Sequence, residues 1–310
     1  MRFLTLGLIG SVAAISAGCS TTRPPAPPAW PIHELRAAQT IALTLPDASN
    51  FDASALLLMP DGDLLTLRDA DATLYRVQIH AGTATADLLP LTNYFTAAAL
   101  APFTRDKHGR YDCEGLARDD QGRLYICEEA DRWILRCDPA SGRVERLAID
   151  WSPVQKFFSP DRNASFEGVA VGGGRLYVAN ERQSPVILVV DLATLKIVDH
   201  FVVTPRTGSL LGILHYSDLS WSNGRLYVLC RQHRVVLEVE PKSHAVLAEY
   251  NYRALEEELG YSGLLPVGLM EGLAVEREFL WLVTDNNGLC HGPGGQDKRP
   301  TLLQCPRPAR

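Results

Sequence analysis

Apolar and polar positions along this chain recur in one arrangement. A short apolar run opens with an acid, a turn rich in Gly, Asp and Asn follows, and a second run alternates apolar and polar residues. Four segments carry it: Asp112-Cys-Glu-Gly-Leu-Ala117 with Gly122-Arg-Leu-Tyr-Ile126, Phe166-Glu-Gly-Val-Ala170 with Gly174-Arg-Leu-Tyr-Val178, Tyr216-Ser-Asp-Leu219 with Gly224-Arg-Leu-Tyr-Val228, and Met270-Glu-Gly-Leu-Ala274 with Phe279-Leu-Trp-Leu-Val283. A degenerate copy, Phe51-Asp-Ala-Ser-Ala55 with Gly62-Asp-Leu-Leu65, precedes them. The opening acids Asp52, Glu114, Glu167, Asp218 and Glu271 are spaced by 62, 53, 51 and 53 residues. Each copy predicts two hairpin strands. A third strand is expected at residues 73–79, 133–137, 186–190 and 235–239.

Short strands kept at a period near 50 predict an all-β β-propeller. The last copy supplies strands near 271–275, 279–284 and 301–305 but no fourth. Residues 40–45 form a spare strand that would complete that blade and remove an exposed edge. Five blades are expected, with six as the alternative if residues 91–110 hide a divergent one. Residues 253–259 read as a helical insertion between blades.

Composition adds location. Of 310 residues, 46% are apolar and 21% charged, too apolar for disorder and enough for a full core. Arg2 precedes an apolar stretch, Phe3 to Ile15, ending in Ser16-Ala17-Gly18-Cys19. That stretch is too short to span a bilayer and resembles a lipoprotein signal with its lipobox. The expected organisation is a signal peptide at 1–18, a Pro-rich tether at 19–38 and a propeller at 39–310, lipidated on Cys19. The same resemblance implies that Ser20 after the cysteine, in place of Asp, favours the outer membrane, facing the periplasm, in a host that has one. An ordinary secretory signal with a chance cysteine is the competing reading. Removing residues 1–18 changes the formal charge from −6 to −7, which argues against nucleic-acid binding. In an oxidising compartment, local disulfides among Cys113, Cys127 and Cys137, and between Cys290 and Cys305, are plausible from spacing.

The chemistry sits in two columns. The opening acids should point at one axis, with Glu114, Glu167, Asp218 and Glu271 as metal candidates. The second strands return to the same end and place Asp69, Glu129, Glu181, Arg231 and Asp285 there, beside Glu128, Asn180, Arg182 and Asn286. Crowded carboxylates repel unless a hard cation such as Ca²⁺, protons or arginines relieve them. The competing reading is structural: Glu-Gly at a strand start accepts backbone N–H bonds at the blade junction, and the glycines allow close packing near the axis. Loops at 96–111, 151–165, 206–217 and 251–269 join blades on this face and carry Arg105, Lys107, Trp151, Lys156, Phe157 and Phe158 as a possible lid. His215 reads as a general base or, more simply, as packing. Asp285-Asn286-Asn287-Gly288 reads as a plain turn.

The Glu-Gly-Leu-Ala … Gly-Arg-Leu-Tyr … Glu pattern resembles the phytase-like propellers described by the esterase-like activity of phytase, and the related SdiA-regulated family, over about residues 50–290. The resemblance implies a secreted or anchored propeller, calcium binding, and hydrolysis of phosphate or carboxylic esters. This chain departs from the pattern at Asp52-Ala, at Asp218-Leu and at Arg231. No HExxH, P-loop or GxSxG occurs. The expected function is a membrane-anchored envelope propeller that binds a small anionic molecule or an envelope protein, with Ca²⁺ at the channel mouth. The alternative is a Ca²⁺-dependent hydrolase in which Glu114, Glu167, Asp218 and Glu271 hold the metal while Arg182 and Arg231 contact the anion. Glu129, Asn180, Glu181 and Asp285 complete the expected ligand site.

Overall fold

A computed structural model describes residues 29–47, 49–68, 72–103, 111–261, 268–286, 288–292 and 295–308. The repeated runs are nearly continuous in buried residues because each strand lies in a sheet covered on both faces. In chain order the strands are β1 (Ile32–Glu34), β2 (Gln39–Thr44), β3 (Ala53–Leu58), β4 (Leu64–Arg68), β5 (Leu74–Ile79), β6 (Thr85–Leu91), β7 (Cys113–Arg118), β8 (Leu124–Glu128), β9 (Trp133–Asp138) and β10 (Arg143–Arg146). They continue as β11 (Phe166–Gly172), β12 (Arg175–Asn180), β13 (Val186–Asp191), β14 (Lys196–Phe201), β15 (Tyr216–Ser222), β16 (Arg225–Cys230), β17 (Val235–Val239), β18 (Val246–Asn251), β19 (Met270–Val275), β20 (Phe279–Thr284) and β21 (Thr301–Pro306). Two short helices, α1 (Ala97–Leu100) and α2 (Arg253–Glu258), lie on connections.

The described strands form a β-propeller of four-stranded antiparallel units: β3–β6, β7–β10, β11–β14, β15–β18, and β19–β20–β21 completed by β2. The inner strands β3, β7, β11, β15 and β19 contact one another in succession, and β19 returns to β3. Closure works as the spare strand required: β2 pairs antiparallel with β21 from Gln39↔Gln304 to Ala42↔Thr301. Its Ile41 and Leu43 are each 1% exposed in the cluster between the first and last units. Burying each stabilises the closure by about 1.5–3 kcal/mol. The described part of residues 91–110 holds the end of β6, α1 and a 3-10 turn at Ala101–Phe103; residues 104–110 lie outside the described part.

The Gly-Arg-Leu-Tyr motif has a structural explanation. Gly122, Gly174 and Gly224 take φ of +83°, +73° and +72° at the hairpin turn, a region that favours glycine. The arginine reaches an acid near that turn or at the end of the third strand: Arg123 to Asp119, Arg175 to Asp191, Arg225 to Glu240 just past β17. The tyrosines Tyr125, Tyr177 and Tyr227 are buried in the clusters between units.

Two expectations need correction. The tether does not reach residue 38, because β1 pairs in parallel with β18 and Leu35 is buried; residues 1–28, including Cys19, lie outside the described residues. Local disulfides are not formed either. Cys127, Cys137, Cys230 and Cys305 are separate buried thiols, so neither expected group closes.

Candidate functional site

Every inner strand carries a register break at the same point, and this sets the site. The breaks fall between Ala53 and Ala55, Cys113 and Gly115, Phe166 and Gly168, Tyr216 and Asp218, and Met270 and Gly272. Such a bulge leaves one residue unpaired and re-aims its side chain. The bulge residues are therefore Ser54, Glu114, Glu167, Ser217 and Glu271. Asp218 and Asp52 do not belong to this column, contrary to the sequence alignment. Asp218 stands one place later, level with Ala55, Gly115, Gly168 and Gly272; Asp52 stands level with Asp112 and His215.

That single-residue shift gives Asp218 a different task. It is fully buried, and its carboxylate accepts the N–H of Leu219 at 2.7 Å and of Leu273 at 2.7 Å, tying β15 to β19. Burial raises its pKa well above the ordinary range, against main-chain bonds from Leu273, Leu219 and Leu56. Asp218 is thus engaged by the backbone rather than offered to a metal. Around it the small residues are obligatory: a Cβ at Gly168 would lie 2.7 Å from Asp218 Cα, and one at Gly272 would lie 2.7 Å from the Ala55 carbonyl carbon. Below this level lies a cavity of about 60 Å³ lined by Leu56, Leu116, Arg118, Val169, Leu219, Ser220 and Trp221.

Above it, the mouth gathers acids. Asp112, Glu114 and Glu129 can bring one oxygen each within 4.8 Å of one another, and Glu167, Glu181 and His215 do likewise with one ligand atom each. Asp112 and His215 were not among the expected ligands. Their signal lay in position, since each immediately precedes an inner strand and accepts, through its carbonyl, the N–H of Glu129 (2.7 Å) or Arg231 (3.0 Å). Glu167, Glu181 and Glu129 are 7%, 1% and 2% exposed. Burial, then Glu181, Glu114, Glu271 and Glu129, push Glu167 well above the carboxylate range. Burial and Asp112 push Glu129 up to about 8. Glu181 Oε2 and Glu271 Oε2 are buried without a hydrogen-bond partner.

Cations offset part of this charge. Arg231 contacts Glu271 and donates from Nε to the Gly268 carbonyl at 2.6 Å. Burial lowers the Arg231 pKa, but Glu271, Glu167, Asp285 and Glu181 outweigh burial and raise it. Burial raises Glu271 to about 8 against the Arg231 attraction, with Asp285 and Glu181 adding to the rise. Arg182 contacts Glu181 and keeps an exposed edge. His215 Nε2 approaches Glu181 Oε1 at 2.7 Å, while burial holds the imidazole below its usual pKa and so neutral near pH 7. The Asn180 amide nitrogen donates to the Phe157 and Ser184 carbonyls, while its Oδ1 is buried without a hydrogen-bond partner. The expected lid aromatics also pack inward: Trp151 sits 4.9 Å from the Phe166 ring and Phe158 5.6 Å. Asp69, Arg105, Lys107 and Asn287 lie outside the described residues.

Donor chemistry separates the two groups. Asp112, Glu114 and Glu129 supply only oxygen, which suits a hard cation such as Ca²⁺ that takes ligands at about 2.3–2.6 Å. In the other group the imidazole nitrogen is not a ligand Ca²⁺ selects, and His215 fits better as the group that orients Glu181.

A family model described as phytase-like, esterase-like activity of phytase, matches residues 50–288. None of the curated proteins matches the chain. Among solved structures, glutaminyl cyclase from Myxococcus xanthus aligns with a TM-score of 0.58 at 15% identity, over 89% of this chain and 97% of that one. The PQQ-bound aldose sugar dehydrogenase from Streptomyces coelicolor aligns with a TM-score of 0.47 at 17% identity, over 87% of this chain and 98% of that one. At these identities the likeness concerns the fold alone.

Proposed function

Because the chain belongs to the phytase-like family described by the esterase-like activity of phytase, we propose that its acidic channel mouth is a Ca²⁺-dependent site for a small anionic molecule, on a propeller tethered to the bacterial envelope through Cys19. One observation carries the reading. Glu167, Glu129 and Glu271, held above their ordinary range by burial first and by neighbouring carboxylates second, sit together, with buried oxygens of Glu181 and Glu271 left without partners. A purely structural carboxylate would have both oxygens paired within the protein, as Asp218 has, whereas Glu181 and Glu271 each pair one oxygen and leave the other.

Asp112, Glu114 and Glu129 would hold the cation, with Glu167 and Glu181 beside them. Bound there, Ca²⁺ supplies charge neutralisation and a Lewis-acidic contact for a phosphate or carboxylate oxygen. Arg182, already at the rim, orients the anionic group, and Arg231 fixes Glu271 so that the mouth keeps its shape. A second reading, hydrolysis of phosphate or carboxylic esters, is favoured by His215. A neutral imidazole held by a carboxylate beside a cation site is the pairing that general-base catalysis uses.

Calcium titration of the chelated protein, read by calorimetry and thermal shift, tests the site. Binding is expected to raise the melting temperature, and Glu114→Gln with Glu129→Gln to abolish that rise. Glu167→Gln removes a carboxyl that burial and its neighbours hold well above the ordinary range, and should make the melting temperature of the chelated protein less dependent on pH. No calcium-dependent shift in the parent would overturn the reading. Turnover of a phosphoester, ester and lactone panel that disappears with His215→Gln, while calcium binding persists, would select the hydrolase.

A further inference from the structure

Large apolar side chains exposed on this propeller are not scattered. Among the described residues, all but Ile79 fall either on residues 198–213 or on Ile32 of β1. Leu210 is 73% exposed, Val202 53%, Leu211 47% and Ile213 46%. Single exposed aliphatics are ordinary, but a concentration of them marks an interaction surface. Residues 208–214, Gly-Ser-Leu-Leu-Gly-Ile-Leu, contain no charge, and Leu214 is packed against the core beneath them.

The base of this loop is fixed at the place where the chain enters the fold. The Glu249 carboxylate accepts the N–H of Arg206 at 2.9 Å, of Thr207 at 2.9 Å and the Trp30 indole N–H at 3.3 Å. Arg206 donates to the Trp30 carbonyl at 2.8 Å and lies over the Trp30 ring at 5.9 Å. Arg253 donates to the Gly208 carbonyl at 2.6 Å. Two arginines therefore flank an uncharged aliphatic tip, the arrangement that suits an interface of headgroups and acyl chains. Cys19 stands eleven residues before Trp30. Even fully extended, that length reaches no more than about 40 Å.

We propose that residues 208–214 are a membrane-docking loop, seating Leu210, Leu211 and Ile213 in the surface of the bilayer to which the Cys19 tether is attached. The inference rests on the anchored reading of Cys19. Because the loop runs from β14 to His215 at the start of β15, docking sets the rim of the acidic mouth against the lipid surface.

The test uses the full chain in vesicles of phosphatidylethanolamine and phosphatidylglycerol. A polarity-sensitive fluorophore is placed at Ser209→Cys or, as control, at Ile79→Cys, above the background of the parent's own thiols. Doxyl-labelled lipid is expected to quench position 209 roughly threefold more than position 79, since only an inserted tip approaches the acyl region. Leu210→Asp with Leu211→Asp should remove the difference. Mass measurement of the N-terminus reads the anchor independently. A lipidated chain with equal quenching at both positions overturns docking and leaves the anchor intact. A chain neither lipidated nor retained by vesicles overturns both. Fluorescence that shifts with protein concentration, without lipid quenching, assigns the loop to a second copy of the chain and also overturns the proposal.

Discussion

Raising the pH of the chelated protein from 6.5 to 8 should unfold it more easily. Glu129 and Glu271 are held near 8 in the folded state, Glu129 by burial and Asp112, Glu271 by burial with Asp285 and Glu181 prevailing over Arg231. In the unfolded chain both ionise near the ordinary carboxylate value. Between those values the folded state binds more protons than the unfolded one, so stability falls as pH rises through this window. Each group contributes a slope of about 1.36 kcal/mol per pH unit. Glu167 and Asp218, also held well above the ordinary range, act in the same direction; the two groups near 8 by themselves give at most about 4 kcal/mol over that window, which water penetration at buried sites reduces to about 2 kcal/mol. For a domain of this size that is a fall in melting temperature of roughly 4–8 °C. Burial lowers His215 and His233, so their contribution rises with pH through the unfolded histidine value near 6.5 and opposes the fall only at the lower end of the window. Buried Cys127, Cys230 and Cys305 act only as unfolded thiols ionise, near 8.5. Scanning calorimetry with chelator, then with excess calcium, is the assay. Calcium should flatten the dependence, because a cation replaces the protons. A melting temperature that is constant or rises with pH in chelator refutes the reasoning.

Three substitutions probe the framework beneath the mouth. Asp218→Ala leaves the Leu219 and Leu273 N–H groups without their carboxylate and should cost about 2–5 kcal/mol in urea unfolding, with the calcium shift retained; loss of that shift would restore Asp218 as a ligand. Gly168→Ala forces a Cβ against the Asp218 backbone and should cost about 3 kcal/mol or more, read as a lowered urea midpoint; wild-type stability would contradict the packing. Arg231→Met leaves Glu271 buried without its cation and should cost about 3–5 kcal/mol at pH 8 but much less at pH 5.5, where Glu271 keeps its proton; an equal loss at both values would mean the arginine acts only by packing.

The sequence by itself determined the propeller. A strand pattern repeated near every 50 residues has no flat-sheet explanation, and the spare strand at 40–45 had one vacant edge to fill beside the strand ending near 305. It also located the acids at one end, since Glu114, Glu167 and Glu271 open their strands while Glu129, Glu181, Arg231 and Asp285 close the next. What it could not decide was register at the bulge. Side chains alternate along a strand, so one unpaired residue exchanges one outlook for another. In the second, third and fifth inner strands the acid is the bulge residue, whereas in β15 Ser217 takes that place and Asp218 falls into the ring of small residues, where main-chain N–H groups claim it. Which carboxylates cluster was decided only in three dimensions: the bulge and the returning strand bring Asp112, Glu114 and Glu129 together within one unit, whereas His215 reaches Glu167 and Glu181 from the unit that follows. His215 lies 48 residues beyond Glu167, and no local pattern couples them.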